Sequence, residues 1–399
     1  MGINMNKMKV DDLKVRSKRV LVRVDFNVPI NELGEITDDT RIRASLPTIR
    51  YLVDHGARVI LASHSGRPKG KINPKYSLAP MAARLEKLLQ CPVKMANNCL
   101  GDEVRQQALA LQDGEILVLE NLRFHPEEEA NDPDFAKSLA GLAELFVNDA
   151  FGTAHRAHAS TAGIAAYLPA AAGFLMSKEV EIMGQALANP QHPFVAVIGG
   201  AKVSDKIEVI RNLLNKIDAL IIGGGMANTF LKAEGYEIGQ SLCEPEKTDL
   251  AAELIKQAKA QKVQLLLPED VVVAKEFSNE APFRIVPVSG LDLDDQILDI
   301  GPKSVDRFAG LVKGARTVVW NGPMGVFEMT NFAYGTEGMA RALAACPGIT
   351  IVGGGDSVAA VEKIGVTDQL THISTGGGAS LEFLEGKTLP GVAVLQEKP

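Results

Sequence analysis

Cysteine is scarce in this chain of 399 residues, and its four positions are widely spread. No C-x-x-C pair occurs, so zinc ribbons and thioredoxin-type chemistry have no support in the sequence. Four scattered thiols are too few for a disulfide framework, and reduced thiols are typical of cytosolic proteins. The first residues also lack the apolar segment of a signal peptide. We therefore expect a cytoplasmic protein.

Aromatic residues are also few, at 5% with a single tryptophan, which argues against a stacking platform for single-stranded nucleic acid. The net charge of -7 disfavours a general binder of polyanions. The most apolar stretch, residues 162–176, contains Pro169 and is shorter than the ~18 residues of a membrane span. We expect neither nucleic acid nor a membrane as a partner.

Short apolar runs alternate with amphipathic segments along the whole chain. Near-continuous apolar runs are typical of parallel strands that are covered on both faces. Amphipathic helices are predicted at residues 78–89, with Ser77 as the N-cap, and at residues 249–261. The predicted strands are residues 19–24, 57–62, 115–119, 145–147, 194–198, 219–222, 263–267, 317–320, 349–352 and 372–374. This alternation predicts an α/β fold with mainly parallel sheets.

So many strands exceed one open sheet of ordinary size, so we divide the chain into two lobes. A predicted helix at residues 177–187 is followed by Pro190 and Pro193, which end it before the next strand. The predicted lobes are residues 1–176 and 194–380, with residues 177–193 as the connecting helix and linker.

Glycine follows strand after strand in the second lobe. Glycine lets backbone N–H groups approach a phosphate or a flat base, and a helix that starts there adds further donors. One such end is equally consistent with a tight turn, but five at one sheet edge predict a nucleotide cleft. Neither the Walker A pattern nor G-x-G-x-x-G occurs, which argues against a P-loop NTPase and an ordinary dehydrogenase. The five ends are residues 199–200, 223–225, 322–325, 353–355 and 376–378.

Three charged residues stand beside these glycines. Asp356 opens a predicted helix, where it could bind Mg²⁺ or act as the helix N-cap. Lys202 and Lys206 are four residues apart, and on a helix they would share one face. They could point at a phosphate or be ordinary surface lysines.

The first lobe contains most of the arginines and histidines. Asp25 and Asn27 follow a strand and, two residues apart, face the same way. Guanidinium groups bind carboxylate and phosphate through paired hydrogen bonds, although any single arginine could be a surface ion pair. His155 and His158 have no acidic partner in a zinc pattern. A site for a small, highly anionic metabolite is predicted from Arg41, His64, Arg67, Arg123 and Arg156.

Together these motifs resemble the phosphoglycerate kinase family over nearly the whole chain. The resemblance is carried by residues 23–29 (RVDFNVP), 200–206 (GAKVSDK), 320–328 (WNGPMGVFE), 353–356 (GGGD) and 374–380 (STGGGAS). It implies two Rossmann-like three-layer α/β/α lobes joined by a long helix and hinge, with residues 381–399 returning to the first lobe. It also implies a monomer that transfers phosphate reversibly between 1,3-bisphosphoglycerate and ADP, giving 3-phosphoglycerate and ATP.

The resemblance implies roles for individual residues. Arg41, Lys202 and Lys206 would be catalytic, and Asp356 would bind Mg²⁺. Thr375 and the helix at residues 177–187 would form the hinge. The nucleotide would contact Lys206, Glu328, Gly354, Gly355, Asp356 and Ser357. The 3-phosphoglycerate would contact Asp25, Phe26, Asn27, Arg41, His64, Ser65, Gly66, Arg67, Arg123 and Arg156.

Two residues depart from the family pattern. Ser65 occupies a position that is usually leucine, and Ile297 occupies a position near the adenine that is glycine in many members. From the residues alone, a dehydrogenase that uses the same sheet edge and a noncatalytic binding protein remain alternatives. The missing dinucleotide fingerprint argues against the first, and the intact Arg41, Lys202, Lys206 and Asp356 argue against the second.

Overall fold

The structure is a computed structural model that describes residues 6–399. The chain forms two compact units. The first contains the residues up to Glu181 together with Thr388–Pro399, and the second contains Ile182–Lys387. No helix within residues 6–399 is long and apolar enough to cross a bilayer.

The first unit is built on a six-stranded sheet in which every pair of neighbours is parallel. The strands are β1 (Arg19–Arg23), β2 (Arg58–Ala62), β3 (Val93–Met95), β4 (Ile116–Val118), β5 (Leu145–Asn148) and β6 (Ala170–Ala172). Their order in the sheet is β3-β4-β2-β1-β5-β6, and the central strands are buried apolar runs, as the sequence predicts. Strands β3 and β6, which have only three residues each, were not predicted.

Between residues 6 and 188, six helices connect or follow the strands of this sheet. In α2 (Ala79–Leu89), Met81, Ala82 and Leu85 are buried, because residues three or four apart share one helix face. This helix begins one residue later than predicted: Leu78 is its N-cap, and the Ser77 hydroxyl accepts the N–H of the first helical residue at 3.2 Å. The helices are α1 (Thr40–Asp54), α2 (Ala79–Leu89), α3 (Asp102–Ala110), α4 (Pro126–Glu129), α5 (Pro133–Ala140) and α6 (Phe174–Ala188).

Helix α6 crosses the boundary between the units, and its N-terminus is capped by buried groups. The Asp149 carboxylate accepts the N–H groups of Leu175 at 2.9 Å and Met176 at 3.2 Å through one oxygen. The Thr48 hydroxyl accepts the N–H of Phe174 at 2.9 Å. Burial raises the pKa of the Asp149 carboxyl to about 6, although these hydrogen bonds act in the opposite direction.

Asp149→Asn is expected to stabilise the protein above pH 6, by about 1–3 kcal/mol. The unfolded chain ionises Asp149 near its ordinary pKa, whereas the folded protein holds the proton to about pH 6. Ionisation therefore lowers the stability of the native protein as pH rises through this interval, and asparagine keeps the capping oxygen without that cost. Thermal unfolding of both proteins from pH 5 to pH 8 tests this. A stabilisation that does not grow between pH 5 and pH 7 would contradict it.

The second unit is built on another six-stranded parallel sheet. The strands of this unit are β7 (Phe194–Ile198), β8 (Ala219–Ile222), β9 (Gln264–Leu266), β10 (Asp270–Ala274), β11 (Phe283–Pro287), β12 (Gln296–Ile300), β13 (Thr317–Asn321), β14 (Ile349–Gly353) and β15 (His372–Ile373). The parallel sheet has the order β15-β14-β13-β7-β8-β9, and its six strands were predicted with ends that match or differ by one residue. The helices are α7 (Ile207–Leu214), α8 (Gly224–Ala233), α9 (Thr248–Ala260), α10 (Pro302–Gly314), α11 (Tyr334–Ala344), α12 (Gly355–Ile364) and α13 (Gly378–Leu384).

The three remaining strands form a separate antiparallel sheet in the order β11-β10-β12. This sheet was not predicted from the sequence. Strand β10 is wholly buried, whereas four of the five residues of β11 are exposed. The two parallel sheets confirm the predicted α/β fold class, and the small antiparallel sheet is an addition to it.

The C-terminal segment packs on the first unit through backbone hydrogen bonds. The N–H of Met8 donates to the carbonyl of Gln396 at 2.7 Å, and the N–H of Lys398 donates to that of Asn6 at 2.9 Å. A short helix, α14 (Pro390–Ala393), precedes these contacts. The two ends of the described chain are therefore held together within one unit.

Candidate active site

The glycine-rich segments of the second unit share one edge of its parallel sheet. Each follows one of the strands β7, β8, β13, β14 and β15, and parallel neighbours end on the same side. The clustering predicted from the sequence is confirmed.

Glycine is required where these segments touch each other. A Cβ atom on Gly322, whose φ is +99°, would lie 2.1 Å from the carbonyl oxygen of Gly199. A Cβ atom on Gly224, whose φ is +69°, would lie 2.6 Å from the carbonyl oxygen of Gly200. Both glycines have positive φ and no room for a side chain, so the backbone itself forms this surface.

A cavity of about 510 Å³ opens against these glycines. Its walls are mostly apolar, which suits a flat heterocycle. Ile297 is one of the lining residues, and its N–H donates to the Ser241 hydroxyl at 2.9 Å. Exposed carboxylates at Glu328 and Asp356 also line the cavity. The apolar lining further includes Leu242, Val271, Leu298, Val326 and Met329.

Asp356 lies in the first turn of α12. The N-cap is Gly354, with φ of +90°, and no side chain caps the helix. The alternative that Asp356 is the N-cap is therefore wrong. Its exposed carboxylate faces the cavity region beside the backbone of Gly354 and Gly355, and an oxygen donor in this setting fits a Mg²⁺ ion.

Lys202 and Lys206 do not share a helix face, contrary to prediction. Helix α7 begins at Ile207, and both lysines precede it. The N–H of Lys206 donates to the carbonyl of Val203, which closes a turn that begins after Lys202. The N–H and hydroxyl of Ser204 bond to the Glu244 carboxylate, which holds this segment outside the helix. Lys202 is exposed, and Lys206 is partly buried.

The Lys206 ammonium group donates to the side-chain oxygen of Asn321. Burial lowers the pKa of Lys206, and the nearby carboxylates of Asp205 and Asp356 partly offset that effect. Asn321 is buried, and the sequence analysis did not assign it a role. Its position directly after the predicted strand at residues 317–320 and before glycine was the available signal. Ser357 is also buried, and its hydroxyl accepts the N–H of Gly322 at 2.6 Å.

In the first unit, Arg41 joins the segment that follows β1. Its guanidinium donates to the Asp25 carboxylate at 3.2 Å and to the backbone carbonyl of Asn27 at 3.1 Å. The Asn27 side-chain oxygen accepts the N–H of Gly66 at 2.8 Å. Phe26 is fully buried, with its N–H bonded to the Ser63 hydroxyl at 2.9 Å. These bonds tie the two strand ends together.

The loop after β2 is held by Arg123 and Asn121. Arg123 donates to the carbonyl of Gly66 at 3.0 Å, and Asn121 donates to the carbonyl of Ser65 at 2.8 Å. Ser65 is buried, and its backbone takes part in this network whatever side chain it carries. A Cβ atom on Gly66, whose φ is +60°, would lie 2.3 Å from the ring of Tyr76.

His64 lies within the field of four arginines. Burial, followed by the positive charges of Arg23, Arg123, Arg41 and Arg156, holds the pKa of His64 well below its usual range. The structure therefore brings together three of the predicted arginines around a neutral imidazole. Arg23 is an addition that the sequence analysis missed, although a charged residue inside an apolar strand indicates a buried, paired group.

Arg156 and Arg67 are more exposed than Arg123. Arg156 is partly buried, and its Nε atom donates to His155 at 3.2 Å. Arg67 is exposed at the tip of the loop after β2, next to Gly66. The predicted ligand-binding residues of the first unit thus lie close together, and Arg67 is the exposed arginine among them.

Comparisons with known proteins agree with these observations. A family model described as "Phosphoglycerate kinase" matches residues 10–387. The phosphoglycerate kinase of Moorella thermoacetica is 64% identical over 394 residues, which cover 99% of this chain and all of the relative. That of Chlorobium luteolum is 58% identical over 395 residues, covering 98% of this chain and all of the relative.

Solved structures show the same similarity. Phosphoglycerate kinase from Coxiella burnetii superposes with a TM-score of 0.91 and 47% identity, covering 97% of this chain and 98% of that one. The enzyme from Pyrococcus horikoshii gives a TM-score of 0.81 and 34% identity over the same shares. Because the family model spans almost the whole chain and these relatives match over nearly their full lengths, the chain belongs to the phosphoglycerate kinase family and is an ATP-dependent kinase.

Proposed function

We propose that this enzyme transfers a phosphoryl group reversibly between 1,3-bisphosphoglycerate and ADP, giving 3-phosphoglycerate and ATP. The observation that carries the proposal is the group of arginines around a neutral, buried His64, which is suited to a small ligand with several negative charges. The family identity and the glycine-lined cavity of the second unit support the nucleotide part of the reaction.

The first unit is the proposed site of 3-phosphoglycerate. Asp25 and Asn27 would orient the ligand hydroxyl, and Arg123, Arg156 and Arg67 would neutralise its phosphate. The remaining contacts would come from the backbone and side chains of Phe26, Arg41, His64, Ser65 and Gly66. Hydrogen bonds that already link these strand ends preorganise the site, because little rearrangement is then needed on binding.

The cavity of the second unit is the proposed nucleotide site. Its apolar walls would hold the adenine, with Ile297 giving one wall more bulk than glycine would. Glu328 would accept hydrogen bonds from the ribose hydroxyls. The N–H groups at the start of α12, from Gly354 to Ser357, would bind phosphate oxygens at a positive helix end. Lys206 would reach the same phosphates.

Mg²⁺ fits this site through Asp356. The ion would be held by this carboxylate together with phosphate oxygens, and when bound it would neutralise charge on the polyphosphate. The charge of Asp356 acts on Lys206, so the lysine ammonium group would lie near the same phosphates as the ion.

Phosphoryl transfer requires alignment of the two substrates and neutralisation of charge on the transferring group, and it needs no protein nucleophile. Arg41, Lys202 and Lys206 are proposed to provide that charge. Because the two ligands are assigned to different units, transfer would require closure about a hinge, for which α6 and Thr375 are candidates. Closure would also exclude water, which would otherwise hydrolyse the acyl phosphate. We further propose that the enzyme acts as a cytoplasmic monomer.

A coupled assay with 3-phosphoglycerate, ATP and Mg²⁺ tests the activity. Consumption of 3-phosphoglycerate well above an enzyme-free control is expected, without any NADH turnover by the enzyme alone. Turnover at the level of the control would rule out the proposed reaction, and intrinsic NADH oxidation would favour a dehydrogenase.

Gly66→Ala is expected to raise KM for 3-phosphoglycerate about tenfold and to leave KM for ATP unchanged. A methyl group there would meet the Tyr76 ring and occupy a backbone conformation with positive φ. Gly34→Ala is the matched control, because Gly34 has φ of +80° with no atom within 4 Å of the added Cβ. Steady-state kinetics with each substrate varied in turn measures both constants. Equal effects of the two variants would contradict the role assigned to the Gly66 loop.

A further inference from the structure

Arg23 is a fully buried arginine at the carboxyl end of β1, the strand that lies between β2 and β5. Its guanidinium reaches three partners. Nε donates to the Ser160 hydroxyl at 2.8 Å, one terminal nitrogen donates to the carbonyl of Val24 at 2.5 Å, and the other lies 3.1 Å from Nδ1 of His64. Arg23 is thus directed toward His64 from inside the unit.

The chemistry of the guanidinium decides how the imidazole is protonated. Arginine has five N–H donors and no acceptor, so a hydrogen bond to Nδ1 of His64 requires that Nδ1 carry no proton. The single proton of a neutral imidazole must then be on Nε2. A second proton, on Nδ1, would place the N–H of His64 against the N–H of Arg23, with the two nitrogens 3.1 Å apart.

A buried carboxylate compensates the charge of Arg23. Glu128 is fully buried, and it accepts the hydroxyl of Ser160 at 2.5 Å and the N–H of Ser160 at 3.0 Å. The same hydroxyl accepts Nε–H of Arg23, so Ser160 links the two charges. A buried charge needs such a partner, because an unpaired one would strongly destabilise the fold.

Other charged groups act on His64 from the elements around it. Arg41 lies on α1, Arg123 follows β4, and Arg156 precedes the Ser160 loop, and all three oppose a second proton on the imidazole. The carboxylates of Asp25 and Glu128 act on Arg23. The surrounding field and the Arg23 hydrogen bond therefore favour the same neutral form.

We propose that Arg23, supported by Ser160 and Glu128, is a positioning residue that fixes His64 as the neutral tautomer with its proton on Nε2. His64 then serves the anionic ligand as a hydrogen-bond donor without adding a titratable charge. This inference rests on the proposed binding of 3-phosphoglycerate in the first unit, and it adds residues that lie behind the ligand-contacting set.

Nitrogen NMR of the free protein, labelled at its histidine nitrogens, tests the tautomer directly. The His64 signals would be identified by their loss in His64→Gln. We expect an unprotonated Nδ1 and a protonated Nε2 throughout the pH range in which free histidine titrates, which is centred on pH ~6.5. A proton on Nδ1, or conversion to imidazolium within this range, would overturn the inference.

Kinetics of Arg23→Lys provides the second arm. Lysine keeps the positive charge but lacks the planar guanidinium, so it cannot donate to Ser160 and His64 in the same fixed geometry. We expect mixed tautomers, a KM for 3-phosphoglycerate that rises about tenfold, and an unchanged KM for ATP. Ser160→Ala, which keeps Arg23 itself, should show the same pattern to a smaller degree, and Ser138→Ala, which removes an exposed hydroxyl on α5, should not.

Both test variants are first compared with the wild type by circular dichroism and thermal unfolding. If Arg23→Lys does not fold, Ser160→Ala decides the question. A folded variant of Arg23 with an unchanged tautomer and unchanged KM would overturn the inference. Failure of the wild type to turn over 3-phosphoglycerate would instead contradict the proposed function. Because the wild type is assayed before any variant, the two failures can be distinguished.

Discussion

Arg41→Ala is expected to lower kcat by at least ~100-fold, the loss that is typical when one charge-stabilising donor is removed. The Arg41 guanidinium is held by Asp25 at 3.2 Å and by the carbonyl of Asn27 at 3.1 Å. It is only partly buried, so donors remain available to a ligand. Because its charge is proposed to act on the transferring phosphoryl group, the loss should appear in kcat more than in KM for either substrate.

Arg43→Ala is the matched control for this experiment. Arg43 lies on the same helix, two residues away, but its side chain pairs with Asp39 and is exposed. Its removal should leave kcat nearly unchanged, since an exposed ion pair contributes about 0–1 kcal/mol to stability. Steady-state turnover at saturating 3-phosphoglycerate and ATP measures both variants. Near-normal kcat for Arg41→Ala would remove Arg41 from the catalytic group.

The parallel sheets could be predicted because a strand covered on both faces leaves a plain signal, a short run of apolar residues. That signal fails for β3 and β6, whose three residues are too few to stand out. It fails differently for β11, where exposed residues such as Arg284 interrupt the apolar pattern. The antiparallel sheet depends on pairings that form only in the folded chain, and composition does not reveal them.

Part of the candidate site could be predicted, because polar residues and glycine stand directly after the apolar strands. The error at Lys202 and Lys206 has a tertiary cause, because the carboxylate that holds Ser204 comes from Glu244, forty residues away. Asn321 was missed for a similar reason, since its bond to Lys206 joins distant parts of the sequence. Hydrogen bonds between residues far apart in the sequence can be identified only from coordinates, whereas the residue types at strand ends can be identified from the sequence.

Asp356→Ala is expected to weaken Mg-ADP binding about 10–100-fold and to leave 3-phosphoglycerate binding largely intact. A hydrogen bond or ion contact with a charged group contributes about 1.5–3 kcal/mol, which corresponds to this range. The carboxylate lies in the first turn of α12, lines the cavity and does not cap the helix, so its removal should not unfold the helix start. The Mg²⁺ concentration for half-maximal activity should rise in parallel.

Calorimetric titration of each ligand separately gives the two affinities, with Asp368→Asn as the control for the lost charge. Asp368 is exposed in the same unit and does not line the cavity, so its variant should bind both ligands as the wild type does. Selective loss of Mg-ADP affinity in Asp356→Ala would place the ion on this carboxylate. An equal loss of both ligands would indicate a damaged fold, and an unchanged affinity for Mg-ADP would exclude Asp356 as the metal ligand. Because the two ligands are assigned to different units, this separation also tests whether each unit binds its own substrate.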